Sequence, residues 1–200
     1  ITDVPLRPPK AWRYLGKAFP RTDVVAKSTG TLTYGIDLRM DGMLHATVKT
    51  NPGLGGALER MDDAAAREMR GVQAIVPVKG GFGVIADNTW RAFRAADAVK
   101  VEWAAPPYPP SSAEMWEALS DAHTEDRLDS RLRDDGDVEA ALAGAEVLEA
   151  EYRTPYLAHA PLEPPNAVVK AEPDRLDIWT GTQIPLFLRD LAAAEAGLAP

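Results

Sequence analysis

The 200-residue sequence contains no cysteine. That excludes disulfides, a thiolate nucleophile, a cysteine-rich zinc site and an ordinary iron–sulfur cluster held on this chain. Long apolar runs are also missing. A stretch such as residues 184–188 falls far short of the roughly 20 residues that a membrane-spanning helix needs. Cations are outnumbered, with 22 Lys and Arg against 30 Asp and Glu, and no segment interleaves basic residues with aromatics. A net charge of −8 repels phosphate backbones, which argues against nucleic acid as a partner. There is no Walker loop, GxSxG, HExxH, EF-hand or GxGxxG motif. Residues 1–10 hold three prolines and no apolar core, so they do not read as a signal peptide. The first residue is Ile1 rather than Met, which reads as an excised or processed piece. The compartment, bacterial cytoplasm or periplasm, stays open.

What is present suits a globular domain. Hydrophobic residues make up 46% and charged residues 26%, enough apolar matter for a core and enough charge for solubility. Residues 1–15 read as an extended, proline-bearing leader. Alternation then predicts strands at 32–37 and 44–49, joined as a hairpin through Asp41-Gly42. Further strands are predicted at 57–61, 72–78, 83–86 and 100–104. Helices are predicted at 64–69, closed by Gly71, and at 90–99, capped from the run Asp87-Asn88-Thr89 and facing inward through Trp90, Phe93, Ala96 and Val99. Residues 16–104 therefore read as an α+β domain.

Residues 105–110 hold four prolines and form the clearest boundary, a stiff linker. Beyond it, Ser111-Ser112 caps a helix running to about His123 with Glu114 near its start, residues 126–137 form a charged solvated loop or helix face, and Gly136-Asp137 introduces a short helix. A long strand is predicted at 147–154. A hairpin turned by Pro173-Asp174 joins 167–171 to 176–179, and a helix from Pro185 to about Ala196 ends at Gly197.

Few residues stand out chemically. Gly80-Gly81-Phe82-Gly83 looks like a phosphate cradle but sits between two strands with no helix following, so a tight turn is the better reading. His45 and His123 read as structural or solvated. His159, in a proline-bounded turn with Glu163 four residues on, either pins the turn or supplies part of a metal site, for which two ligands are too few. Gln183 lies where a strand gives way to a helix; its amide either caps the helix or donates to an oxo or phosphate oxygen.

Several segments together resemble a known family. Tyr14-Leu15-Gly16-Lys17, Pro20-Arg21-Thr22-Asp23, Ala26-Lys27, Tyr34-Gly35-Ile36-Asp37 and Gly42-Met43-Leu44 are similar to the opening of the a/b hammerhead domain of the xanthine dehydrogenase and aldehyde oxidase family. Val84-Ile85-Ala86-Asp87-Asn88-Thr89-Trp90 and Val101-Glu102-Trp103 resemble its later strand, helix and closing strand. Glu151-Tyr152, residues 156–160, Leu162-Glu163-Pro164, Asn166-Ala167, Trp179 and Thr182-Gln183 resemble the start of the molybdopterin-binding domain that follows. The details are most similar to the isoquinoline 1-oxidoreductase beta-subunit group.

The resemblance implies a hammerhead domain at 16–104, the linker at 105–110, and the incomplete N-terminal part of a molybdopterin-binding domain at 111–200. It implies a parent enzyme, a molybdenum hydroxylase, that oxidises an N-heterocycle or aldehyde with oxygen from water. Its implied cofactor is a molybdopterin-type molybdenum cofactor in the cytosine dinucleotide form. The implied partners are the remainder of the molybdenum subunit and a small [2Fe-2S] subunit, a division of labour that suits zero cysteines. Gln183 maps onto the glutamine that approaches the molybdenum ligands; Thr182, His159 and Glu163 take supporting roles. The sequence departs from the pattern at Pro165, where relatives often have methionine, and in having GGFG at 80–83 rather than after Thr182-Gln183. The relatives' late catalytic glutamate has no counterpart here, so the fragment alone is expected to be inactive and free of bound cofactor. The competing expectation is a non-catalytic α+β interaction module.

Overall fold

The computed structural model describes residues 4–130, 132–133 and 135–200. The first three residues of the predicted leader, and Arg131 and Asp134 of the predicted charged loop, lie outside the described residues. The fold is mixed α and β, and the described strands pair antiparallel. It forms two compact units, one of Asp41–His159 and one of the residues up to Met40 together with Ala160–Pro200.

The Asp41–His159 unit is built on a three-stranded sheet. β1 (His45–Thr50) and β3 (Val72–Val78) flank a central β4 (Gly81–Ala86), and β2 (Leu58–Asp62) pairs separately with β5 (Lys100–Trp103). Pro77, which has no ladder N–H to give, sits in the edge strand β3, where such a residue is tolerated. The predicted 32–37/44–49 hairpin is not formed. Gly35–Asp37 is instead a 3-10 turn, and β1 pairs with β4, His45 opposite Ala86. Alternation marks a strand but not its partner, and β4 offers the buried apolar side chains that a core requires.

The GGFG run is a turn only at Gly80, with φ +73°; Gly81, Phe82 and Gly83 belong to β4. Gly81 is glycine because a Cβ there would come within 1.9 Å of the Lys49 carbonyl oxygen on β1. Phe82 and Val84 are fully buried, and with Ala66, Ile75, Ala95, Ala96 and Val99 they form the core. Burying a Phe side chain stabilises by roughly 1.5–3 kcal/mol.

Two helices cover this core. α2 (Ala64–Arg67) is shorter than predicted and is followed by Gly71, φ +84°. α3 (Thr89–Ala98) starts one residue before the predicted Trp90, because the Asn88 side chain accepts a hydrogen bond from the Arg91 N–H. Its predicted inward face is corrected by the structure: Ala96 and Val99 are buried, but Trp90 is 70% exposed and Phe93 47%. Ala92, Ala95, Ala96 and Val99 share the buried stripe at helical spacing. Small side chains let the helix approach the sheet, while the two rings stay at its rim with the Arg94 guanidinium 5.9 Å from the Trp90 ring centroid.

After β5 the chain enters the proline run. α4 (Ser112–Ser120) is shorter than predicted, and its cap at Ser111 is reciprocal: Glu114 N–H donates to Ser111 Oγ, and Ser111 N–H donates to Glu114 Oε2. Asp137 caps α5 (Val138–Leu142). Residues 147–154 are not a strand. They are exposed and carry no regular secondary structure, because no neighbouring strand among the described residues supplies a ladder.

In the other unit, a 3-10 turn at Pro9–Ala11 interrupts the predicted extended leader. The sequence reading missed α1 (Val24–Ser28). Asp23 precedes it and pairs with both Arg21 and Lys27, 3.0 and 2.8 Å away. Hydrogen bonding from Lys27, with the nearby Arg21 charge, holds the Asp23 carboxyl below the usual carboxylate range. β6 (Ala167–Glu172) and β7 (Arg175–Thr180) form the predicted hairpin, with Glu172 opposite Arg175. α6 (Pro185–Ala196) then runs to Gly197, φ +67°, as predicted. Among the described residues of this unit, buried hydrophobic side chains are sparse: Val168 and Ala193.

Candidate functional site

The junction between β7 and α6 carries the residues of interest. β7 ends at Thr180, α6 begins at Pro185, and the residues between them are exposed. The cap position of α6 is Ile184, which provides no side-chain hydrogen bond. Gln183 is therefore not the cap, which leaves its amide exposed beside a helix start. Pro185 has no N–H to satisfy, and the next N–H groups of the first turn lack a side-chain acceptor. That end of a twelve-residue helix carries partial positive charge. Thr182 Oγ1 accepts from the Ile184 N–H at 3.2 Å, which braces the turn and leaves its own O–H free to donate.

Glu163 is half-buried in the proline-bounded turn, where its Oε1 accepts from Asn166 Nδ2 at 2.9 Å. Ala160 in the same turn has φ +40°, a left-handed conformation that costs a non-glycine residue energy. His159 is exposed and closes the other compact unit. Among the described residues no three His, Asp or Glu side chains converge on one point, so His159 and Glu163 gain no third ligand. His45 has a structural partner, with Nδ1 3.0 Å from Thr89 Oγ1 at the start of α3. His123 is exposed.

β7 and α6 also enclose an open groove of about 500 Å³. Leu176, Ile178, Leu188 and Ala192 give it apolar walls, Thr182 lies at one end, and Gln183 is not part of its lining.

One residue that sequence reasoning left without a role is Asn166. Its amide also donates to the Pro164 carbonyl at 2.9 Å, and its own carbonyl accepts from Thr180 Oγ1 at 2.7 Å. The available signal was an asparagine directly after two prolines, a position where a short amide bonds back to its own turn. The bond to Thr180, fourteen residues away, had none.

Comparison with known proteins adds four findings. Residues 120–200 match the molybdopterin cofactor-binding domain family. The chain is 32% identical to a nicotinate dehydrogenase subunit of Pseudomonas putida over 95% of its own length and 17% of that protein's. It is 31% identical to the beta subunit of isoquinoline 1-oxidoreductase from Brevundimonas diminuta over 98% of its own length and 26% of that protein's. The chain thus spans about a quarter or less of these curated relatives. Among solved structures, quinoline 2-oxidoreductase from Pseudomonas putida 86 shares the fold, with a TM-score of 0.65 and 20% identity over 91% of this chain and 28% of that one.

Proposed function

We propose that this chain, which belongs to the xanthine dehydrogenase and aldehyde oxidase family of molybdenum-binding subunits, works within the large subunit of a molybdenum hydroxylase. Its substrate class is an N-heteroaromatic compound, oxidised at a ring carbon beside nitrogen. The three relatives are named for nicotinate, isoquinoline and quinoline, and each is a nitrogen heteroaromatic. Aldehydes are the second class that the family resemblance implies. The net change replaces a C–H bond by a C–O bond with oxygen from water, releasing two electrons and two protons.

A bound molybdenum cofactor supplies the two-electron chemistry. The chain's own residues fit a group that presents oxygen acceptors rather than a bare cation. Gln183 offers amide N–H donors, Thr182 a hydroxyl, and the first turn of α6 its free N–H groups. Glu163 shapes the neighbouring turn through Asn166, and His159 has a supporting place in the approach to it. The observation that carries this reading is the position of Gln183, exposed between β7 and α6 and not used as the helix cap. With no cysteine on this chain, the electrons leave to iron–sulfur clusters on a separate small [2Fe-2S] subunit. The cofactor is assigned as the cytosine dinucleotide form.

The test uses the full-length protein with its small subunit. Turnover of an N-heteroaromatic acid or base in heavy-oxygen water should place the heavy oxygen in the product, and acid hydrolysis of the cofactor should release cytidine monophosphate. Purified protein without molybdenum, or product oxygen drawn from dioxygen, would remove the proposal.

A further inference from the structure

Asn166 meets three separate pieces of chain, two through its side chain and one through its backbone carbonyl. Its Nδ2 lies 2.9 Å from both Glu163 Oε1 and the Pro164 carbonyl oxygen. Both are acceptors, so the amide is held in this orientation; a flipped amide would set oxygen against oxygen twice. Its backbone carbonyl accepts from Thr180 Oγ1, on the last residue of β7. Its Oδ1 is buried without a partner among the described residues and faces Gly35, where a Cβ would stand 2.6 Å from it. An unpaired buried acceptor is unfavourable, and this one is tolerated where the donor side of the same amide makes two bonds.

From these contacts we infer that Asn166 is a positioning residue, tying the Glu163 turn to the strand end from which Gln183 projects. The inference rests on the functional reading of Gln183. Thr180 precedes Gln183 by three residues, and Thr182 already braces Ile184, so the path from Asn166 to Gln183 is short and bonded at both ends. Without the tether, the proline-bounded turn and the β7–α6 junction fluctuate separately, and the Gln183 amide loses its aim. Gly35 belongs to the device: its missing side chain leaves room for the amide oxygen.

Amide hydrogen exchange on the full chain tests the tether with no cofactor needed. Asn166→Asp keeps the shape, removes both donated bonds and sets a carboxylate against Glu163. Protection of the Glu163 and Asn166 amides and of residues 180–184 should fall together by about tenfold, while β4 amides remain unchanged. Glu163→Gln keeps an acceptor for Nδ2 and should leave both segments protected, which guards against an Asp variant that simply unfolds. Loosening confined to 163–166, or equal loosening in Glu163→Gln, would overturn the tether. In the holoenzyme, Asn166→Asp should lower turnover per bound molybdenum by about tenfold or more. Coupled loosening with normal turnover per molybdenum would leave the tether standing and overturn the functional reading of Gln183.

Discussion

Asn51 Nδ2 donates to the Ala104 carbonyl oxygen at 2.9 Å, across 53 residues of sequence. Its Oδ1 accepts from the Gly53 N–H at 2.8 Å, and the residue is 5% exposed. The amide therefore fastens the loop after β1 to the residue just before the proline run. Gly56 packs so closely that a Cβ there would stand 2.4 Å from Asn51 Nδ2, which leaves no room for a larger residue. Pro106 and Pro107 lie against Gly53 and Gly55 in the same loop.

Asn51→Leu removes this anchor, leaves the Gly53 N–H and Ala104 carbonyl without their partner, and should cost about 1–3 kcal/mol in chemical denaturation. We propose 105–110 as the boundary between hammerhead and cofactor domains. A broad-specificity protease should cut the wild type there or at 126–135 and spare 16–104, and the variant should be cut faster at 105–110. Early cleavage inside β3 or β4 would argue against that boundary.

Gly81→Ala sets a methyl group 1.9 Å from the Lys49 carbonyl, a backbone atom that moves only if β1 and β4 separate. Overpacking of this kind costs about 1–3 kcal/mol or more. Gly144→Ala, with nothing within 4 Å of the new methyl, should be close to neutral in the same denaturation series. Equal effects of the two would mean that β1 and β4 are not packed as described.

Gln183→Ala in the full-length protein should lower turnover per bound molybdenum far more than it lowers the melting temperature. A donor aimed at charge that develops in the transition state contributes about 2.7–4 kcal/mol. Since Ile184 holds the cap position, loss of Gln183 deprives α6 of no cap. A lowered melting point with normal turnover per metal would assign Gln183 a purely structural role.

The isolated 200-residue chain should purify without stoichiometric molybdenum or pterin and turn over no heterocycle. Its donors at the β7–α6 junction are exposed on one open side, and no trio of metal-ligating side chains is present among the described residues. Elemental analysis showing one molybdenum per chain would contradict this.

How much was legible depended on distance along the chain. The helix starts after Ser111, Asp137 and the Asp87-Asn88-Thr89 run, the Pro173-Asp174 hairpin and the Gly197 stop were readable because each is closed by partners within a few residues. Gln183 was readable as a junction residue for the same reason, and its role came from resemblance rather than from spacing. Asn166 was not readable as a tether, because its orientation is set by Glu163 and Pro164 while its reach to Thr180 depends on the hairpin register.

By itself the sequence determined the caps and turns closed by near neighbours, the lack of cysteine, and an order of segments that resembles the family. Tertiary structure decided which strand β1 joins, which face of α3 is buried, and that residues 147–154 have no ladder. Periodicity reports that one side of an element is apolar, but pairing and burial are settled by competition among distant surfaces. β4 took β1 because its backbone at Gly81 lies against Lys49, and the alanines of α3 took the core because only small side chains let the helix close over Phe82 and Val84.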